Sequence, residues 1–477
     1  PAPTGSARPV TFAEALLPVI CLIVLISLSF FLFGDAGALG PNQIALVVAT
    51  MVAVAVGRRC GHSLEALGQA AVASASSGVG AIFILFAVGS LIGTWALSGT
   101  LVAMVYYGLQ LLSPNYFYLT AAVLCGVVAM SIGSSWTVVG TIGIGLMGIA
   151  ANMDLSPAVT AGAVISGAYF GDKSSPLSDS ANLAVAAAGV DLYQHVRETF
   201  ITSATTLPMA LVVFWYLGSP GDFDAQEQLD AIQQLFHISL WLFLPLVLVV
   251  VLAVLKLPPF TTIFVGALAG GVLAVVVAPE RVIAYAGDAE LPRALALLKG
   301  VWLALAGGYR STSGNAEIDQ LVSRGGMESM LNTVWLILTA LSFGGVVEKI
   351  GVLDRLINPV INAVRSAGAL VAALVGAVVA TNGVTADQYI AIVLPARMFK
   401  NGFRDRGLAP EVLSRTVGDS GTVTGALIPW NSCGAYMAAT LGIATVHYAP
   451  YAVFCWLSPL VTIAFATFGI RTRRIQQ

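Results

Sequence analysis

Charge is what this chain of 477 residues has least of: Asp, Glu, Lys and Arg together make up 10% of it, against about 25% in an average soluble domain. The spacing of these few charges excludes more than their number. None stands between Glu65 and Asp154, nor between Asp419 and Arg471, and a soluble fold has no water-facing surface to build from such stretches. Shorter charge-free windows run from Glu14 to Asp35, Asp35 to Arg58, Glu198 to Asp222, Asp230 to Lys256, Lys256 to Glu280, Glu328 to Glu348 and Arg365 to Asp387. Each fits the roughly 20 apolar residues that a helix needs to cross a hydrocarbon core. The pattern predicts an all-α polytopic membrane protein with about twelve crossings, plus shorter broken or hairpin segments. Strands of a membrane barrel would alternate in polarity over about ten residues, and these runs do not.

A basic surplus is also missing. With a formal charge of −2 the chain has no stripe to neutralise phosphates, so lipid is the expected partner and nucleic acid is not. The five cysteines, Cys21, Cys60, Cys125, Cys433 and Cys455, show neither CxxC nor metal spacing and read as small buried hydrophobes. His62, His237 and His447 stand alone, and His195 lies in Asp191-Leu192-Tyr193-Gln194-His195-Val196-Arg197-Glu198, which reads as a polar helix end. No cofactor is expected. The first crossing, from about Ala15 to Phe33, is too long for a signal-peptide core and lacks a cleavage pattern, so it is expected to remain in the mature chain. Glu348 and Lys349 close another apolar run and read as an interfacial pair with a snorkelling lysine.

What basic residues there are set an orientation. Arg58 and Arg59 follow the second crossing, and Arg471, Arg473 and Arg474 follow the last. Both termini are therefore predicted cytoplasmic, in the inner membrane. The chain also repeats itself. At a shift of 252, Gly93, Gly99 and Leu101 fall on Gly345, Gly351 and Leu353; at 253, Pro157, Pro176 and Gly189 fall on Pro410, Pro429 and Gly442. The matching connections differ in charge: Ala151 to Ser156 has no basic residue, whereas Arg397 to Arg406 contains Arg397, Lys400, Arg404 and Arg406. Opposite bias in equivalent loops predicts inverted repeats, with which many secondary transporters build a midplane site. The expected layout is N-terminal crossings in 1–74, a first repeat in 75–199, scaffold in 200–327, a second repeat in 328–445, and a last helix with a cytoplasmic tail in 446–477. The scaffold contains the acidic loop Asp222 to Asp230 and an amphipathic stretch from about Leu291 to Leu305, to which no chemistry is assigned.

The polar residues inside apolar helix carry the chemistry. The densest group is Gly171-Asp172-Lys173-Ser174-Ser175-Pro176-Leu177-Ser178-Asp179-Ser180-Ala181-Asn182. A charge at the bilayer centre costs roughly 2.5 to 3.5 kcal/mol, so it persists where it binds or relays something. Pro176 disfavours helical geometry at Ser175, and a break there frees carbonyls and half-helix ends for ions. Gly418-Asp419-Ser420-Gly421-Thr422-Val423-Thr424, followed by Pro429-Trp430-Asn431, reads as the equivalent segment of the second half. Each half has a further polar break upstream: Ser131-Ile132-Gly133-Ser134-Ser135-Trp136-Thr137, and Thr381-Asn382-Gly383-Val384-Thr385-Ala386-Asp387. Hydroxyls, amide oxygens and carbonyls are hard donors of the kind that suit Na⁺, although small polar residues such as Ser131, Ser134 and Ser135 also mediate helix packing.

The stretch Gly167 to Ala184, with Gly171-Asp172-Lys173 and Ser175-Pro176-Leu177-Ser178-Asp179, resembles the signature of the NhaC-type sodium/proton antiporter family. Leu91-Ile92-Gly93-Thr94-Trp95 with Ser98-Gly99-Thr100, Gly133-Ser134-Ser135-Trp136-Thr137, and Gly418-Asp419 through Pro429-Trp430-Asn431 are similar to further family blocks. One departure is Ser174, where a bulky apolar residue is expected. The resemblance implies an ion-transporter-superfamily fold with inverted repeats, broken helices, paired re-entrant hairpins and elevator-like movement. It also implies that some relatives exchange organic acids or amino acids.

The expected function is secondary exchange of Na⁺ and H⁺ by alternating access, with no covalent catalysis and no catalytic residue. Asp172, Asp179, Asp387 and Asp419 are expected to converge as cation ligands, helped by Ser134, Thr137, Ser175, Ser178, Asn182, Thr381, Asn382, Thr385, Ser420, Thr422 and Asn431. Lys173 is expected to be an internal counter-cation. A burial-raised carboxylate pKa that a nearby cation lowers would release a proton as Na⁺ arrives. The alternative is Na⁺- or H⁺-coupled exchange of a small organic anion or amino acid, its carboxylate held by half-helix N-termini. The rival from another class, an intramembrane aspartyl protease built on Asp172 and Asp419, lacks the Gly-x-Gly-Asp pattern, because Tyr169-Phe170 and Thr416-Val417 precede the two pairs. Oligomeric state is left open, a homodimer included.

Overall fold

The computed structural model describes residues 8–218, 226–235, 238–288, 290–311, 319, 323, 325–364 and 366–471. His237, Arg473, Arg474 and residues 222–225 of the acidic loop lie outside them. Among the described residues nine helices are long and apolar enough to cross a membrane, ten if the pair Thr445–Tyr451 and Val453–Thr467, bent by 53°, is one span. That is fewer than the charge-free windows suggest. Pro157–Ser174, which holds a polar motif, is not among the nine, and Pro410–Thr424, which holds another, has only 15 residues. The outer helices turn large apolar side chains outward, as a lipid-facing surface requires: Phe31 is 84% exposed and Val276 72%.

Turns and caps recur along the backbone. Helix Val79–Ser98 ends at the left-handed Gly99, and Leu331–Lys349 is followed by the left-handed Gly351. Phe117–Ile132 stops at left-handed Gly133 and Ala367–Thr385 at left-handed Ala386. The next residues, Ser134 and Asp387, are both extended and cap the helices that follow. Pro157–Ser174 and Pro410–Thr424 each start on proline, break, and resume as Asp179–Ala188 and Ser432–Leu441, capped by Ser178 and Asn431 and closed by left-handed Gly189 and Gly442. The turn residues, caps and starting prolines from Gly133 to Gly442 pair at 253 residues apart, while the breaks after Ser174 and Thr424 lie 250 apart. The packing is reciprocal as well: half-helix Asp179–Ala188 lies on Gln388–Asp405, and Ser432–Leu441 lies on the segment around Val139–Gly143.

The breaks have local causes. Gly133 has φ +77°, and a Cβ there would meet the Leu177 backbone at 2.7 Å, so the first break is both turned and crossed at a residue that must lack a side chain. Ser175 is extended just before Pro176, as a pre-proline residue prefers. Helix Pro157–Ser174 packs closely on Phe117–Ile132 through Gly167 and Gly171, the spacing that lets membrane helices touch backbone to backbone. A Cβ on Gly171 would meet Gly126 O at 2.4 Å. We therefore expect Gly171→Ala to cost about 1–3 kcal/mol, read as a lower melting temperature in detergent. Gly376→Ala, where an added Cβ meets nothing within 4 Å, should not fall.

Candidate functional site

The helix end before Pro176 puts two adjacent charged residues on different sides of Pro157–Ser174. Asp172 faces the hairpin. Its carboxylate accepts from Ser135 N at 3.1 Å and Ser135 Oγ at 2.6 Å on one oxygen, and from Ser178 Oγ at 2.5 Å on the other. It sits at the first turn of the helix that begins at Ser135, a place where N–H groups and the helix dipole favour negative charge. Both hydroxyls can turn a lone pair to a cation instead of donating to the carboxylate. Ser178 also contacts Ser180 at 2.9 Å, and Asn182 Nδ2 donates to Ser178 O at 2.9 Å. Ser175 is buried and its hydroxyl accepts from Leu177 N at 3.2 Å, bracing the break.

Asp172 opens on a cavity of about 760 Å³ that Asp179 and Asp387 also line, together with Ser134, Thr137 and Asn182. Ser134 Oγ accepts from Thr137 N at 3.2 Å and from Thr137 Oγ1 at 3.0 Å. Asp179 is exposed; Asp387 is 8% exposed and accepts from Ile390 N at 2.8 Å. Asp172, Asp179 and Asp387 are thus brought to one cavity without forming a metal cage: among the described residues no three His, Cys, Asp or Glu side chains are close enough to hold an ion between them. A cation here would be held by one carboxylate with hydroxyls and carbonyls.

Lys173 points to the opposite side. Its ammonium donates to Asp419 Oδ1 at 2.7 Å and to Ser458 Oγ at 2.7 Å, lies 5.0 Å from the Phe454 ring centroid, and is fully buried with its partner. Asp419 also accepts from Thr202 Oγ1 at 3.0 Å and from Thr462 Oγ1. The expected convergence of four aspartates therefore fails at Asp419, whose charge is met by Lys173 and two hydroxyls away from the cavity. The presumed equivalence of Gly418-Asp419 with Gly171-Asp172 fails for the same reason: at the structural offset of 253, Asp419 falls on Ser166, and Asp172 on Gly425. Nor can Asp172 and Asp419 share a proton as a protease dyad would.

The remaining expected ligands serve the second break. Asn431 Nδ2 donates to Asn382 O at 3.0 Å and Oδ1 at 3.1 Å, and Asn382 Nδ2 donates to Thr424 Oγ1 at 3.0 Å and Gly421 O at 3.1 Å. The hydroxyls of Thr381, Thr385 and Ser420 bond carbonyls one turn back on their own helices. Thr422 is buried on Pro410–Thr424, and none of these residues lines the cavity. Ser174, the departure from the family pattern, donates to Ser203 Oγ at 3.1 Å.

Sequence reasoning missed a buried polar face. His195 and Glu198, expected at a polar helix end, are buried on Leu192–Leu217 with Thr199, Thr202, Ser203 and Thr206. His195 Nδ1 lies 2.6 Å from Ser414 Oγ, and Glu198 pairs with Arg415 at 3.5 Å. The signal was present as polar residues recurring every three to four positions along one apolar helix. Glu348 and Lys349 are both exposed at the end of their helix, in keeping with the interfacial reading.

Long apolar helices, broken at paired polar residues and carrying carboxylates inside the helical core, define a multi-pass membrane protein of the secondary-transporter class. The Na⁺/H⁺ antiporter family model matches residues 9–202 and 167–470. The Na⁺/H⁺ antiporter NhaC of Alkalihalophilus pseudofirmus is 36% identical over 90% of both chains. The malate-2H⁺/Na⁺-lactate antiporter of Bacillus subtilis is 34% identical over 92% of this chain and 90% of its own. The arginine/ornithine antiporter ArcD of Halobacterium salinarum is 33% identical over 96% and 92%. The chain belongs to the Na⁺/H⁺ antiporter family, as its signature around Asp172 and Asp179 implied.

Proposed function

We propose that this chain is a Na⁺/H⁺ antiporter of the inner membrane, with both termini cytoplasmic, in which Na⁺ and H⁺ compete for Asp172. The observation that carries the reading is the environment of that carboxylate: it is buried, served by Ser135 and Ser178 hydroxyls that can exchange roles, and open to a cavity shared with Asp179 and Asp387. A single carboxylate cannot hold a proton and a Na⁺ together, so arrival of one expels the other, and no covalent chemistry or cofactor is needed. The NhaC relatives support the same pair of ions. Inverted halves moving as an elevator supply the alternating access; the unequal charge of the loops around Asn152 and Arg397 supports the inversion.

Proteoliposomes with Na⁺ as the only added solute test this. A Na⁺ pulse is expected to move protons at once, followed by a pH-sensitive dye. Silence until an organic acid or amino acid is supplied would instead establish the second reading, coupled exchange of a small organic solute. That reading draws on the cavity volume, about 760 Å³, which exceeds what one oxygen-coordinated Na⁺ fills, and on the malate/lactate relative.

A further inference from the structure

The cavity holds three carboxylates, Asp172, Asp179 and Asp387, and among the described residues a single basic side chain lines it, Lys256. Lys256 comes from outside both repeats, in the turn between helices Leu244–Val254 and Pro259–Val277. That turn holds it in place. Lys256 N donates to Ala253 O at 2.9 Å and Leu257 N to Leu252 O at 3.2 Å, the paired bonds of a Schellman helix end. Lys256 occupies the left-handed position of that motif with φ +63°, where glycine is the favoured residue and any side chain is strained. Pro258 and Pro259 follow at once and fix the entry to the next helix. An exposed lysine kept at a position that suits glycine, on the wall of an acidic cavity, is explained by its ammonium rather than by its backbone.

We propose that Lys256 is the resident counter-cation of the empty cavity: its ammonium offsets the carboxylates when no Na⁺ is bound, and a Na⁺ that enters has to displace its field. Lys256 thereby sets the apparent Na⁺ affinity. The inference rests on the cation-binding reading of the cavity and adds a specificity residue to it. A sphere of about 760 Å³ is about 11 Å across, a distance at which one charge changes the occupancy of another by about three- to tenfold in a partly aqueous medium.

The decisive variants are Lys256→Gly, which removes the ammonium and suits the turn better than lysine does, and Lys256→Gln, which removes the charge and keeps a side chain. Both are expected to lower the KM for Na⁺ about three- to tenfold in the proton-flux assay, with the change falling on KM rather than on the maximal rate, while Lys256→Arg stays near wild type. Added choline chloride should narrow the gap between wild type and Lys256→Gly, since salt screens the ammonium. Equal or higher KM in both neutral variants would overturn the proposal. Binding of ²²Na⁺ to the purified protein repeats the comparison without transport. If wild-type vesicles show no Na⁺-driven proton movement, the antiport reading fails, and the binding series still decides the role of Lys256.

Discussion

Vesicles containing Asp172→Asn protein should lose Na⁺-driven proton flux by at least about 100-fold, a loss of about 2.7 kcal/mol or more in the driving interaction. The substitution is nearly isosteric, and the amide oxygen can still accept from Ser135 or Ser178, so the fold should persist and the defect should be one of charge. An amide cannot carry the proton, and on the proposed reading Na⁺ loses the carboxylate that Ser135 and Ser178 serve. Size-exclusion profile and melting temperature near wild type would show that the loss is functional. Undiminished exchange in Asp172→Asn, with loss in Asp179→Asn or Asp387→Asn, would move the binding carboxylate along the cavity wall.

The second large effect is on stability. Asp419→Leu leaves the Lys173 ammonium fully buried without its carboxylate, which should destabilise the protein by about 3–5 kcal/mol. Lys173→Met should be similarly harmful, because it strands Asp419 with two hydroxyls only. The double variant Lys173→Met/Asp419→Leu removes both charges and should recover most of the loss, as replacement of a buried pair by apolar groups often does. Thermal melts of the four proteins in detergent form the cycle. Simple additivity of the two single losses would mean that the pair is not coupled as the 2.7 Å contact indicates.

Much of the fold could be read from the sequence because its signals are local. Charge-free windows give spans, and Pro176 and Gly133 give breaks. The direction in which a side chain leaves a broken helix is not local. Asp172 and Lys173 are neighbours in sequence, yet one reaches Ser135 and the other Asp419, and only the crossing of four helices decides that. The same holds for Asp419, which looks like Asp172 in its motif and occupies a different level of its helix. Polar residues such as Thr381, Thr385 and Ser420 look like ligands in sequence, but a hydroxyl one turn from a free carbonyl in a helix usually bonds it.

The ion pair of Lys173 and Asp419 also limits how the protein can move. It joins Pro157–Ser174 to Pro410–Thr424, with Ser458, Thr202 and Thr462 from two further helices pinned to the same two residues. Opening it would cost several kcal/mol, more than a transporter spends between states it visits on every cycle. Any movement that leaves the pair intact therefore carries these four helices together.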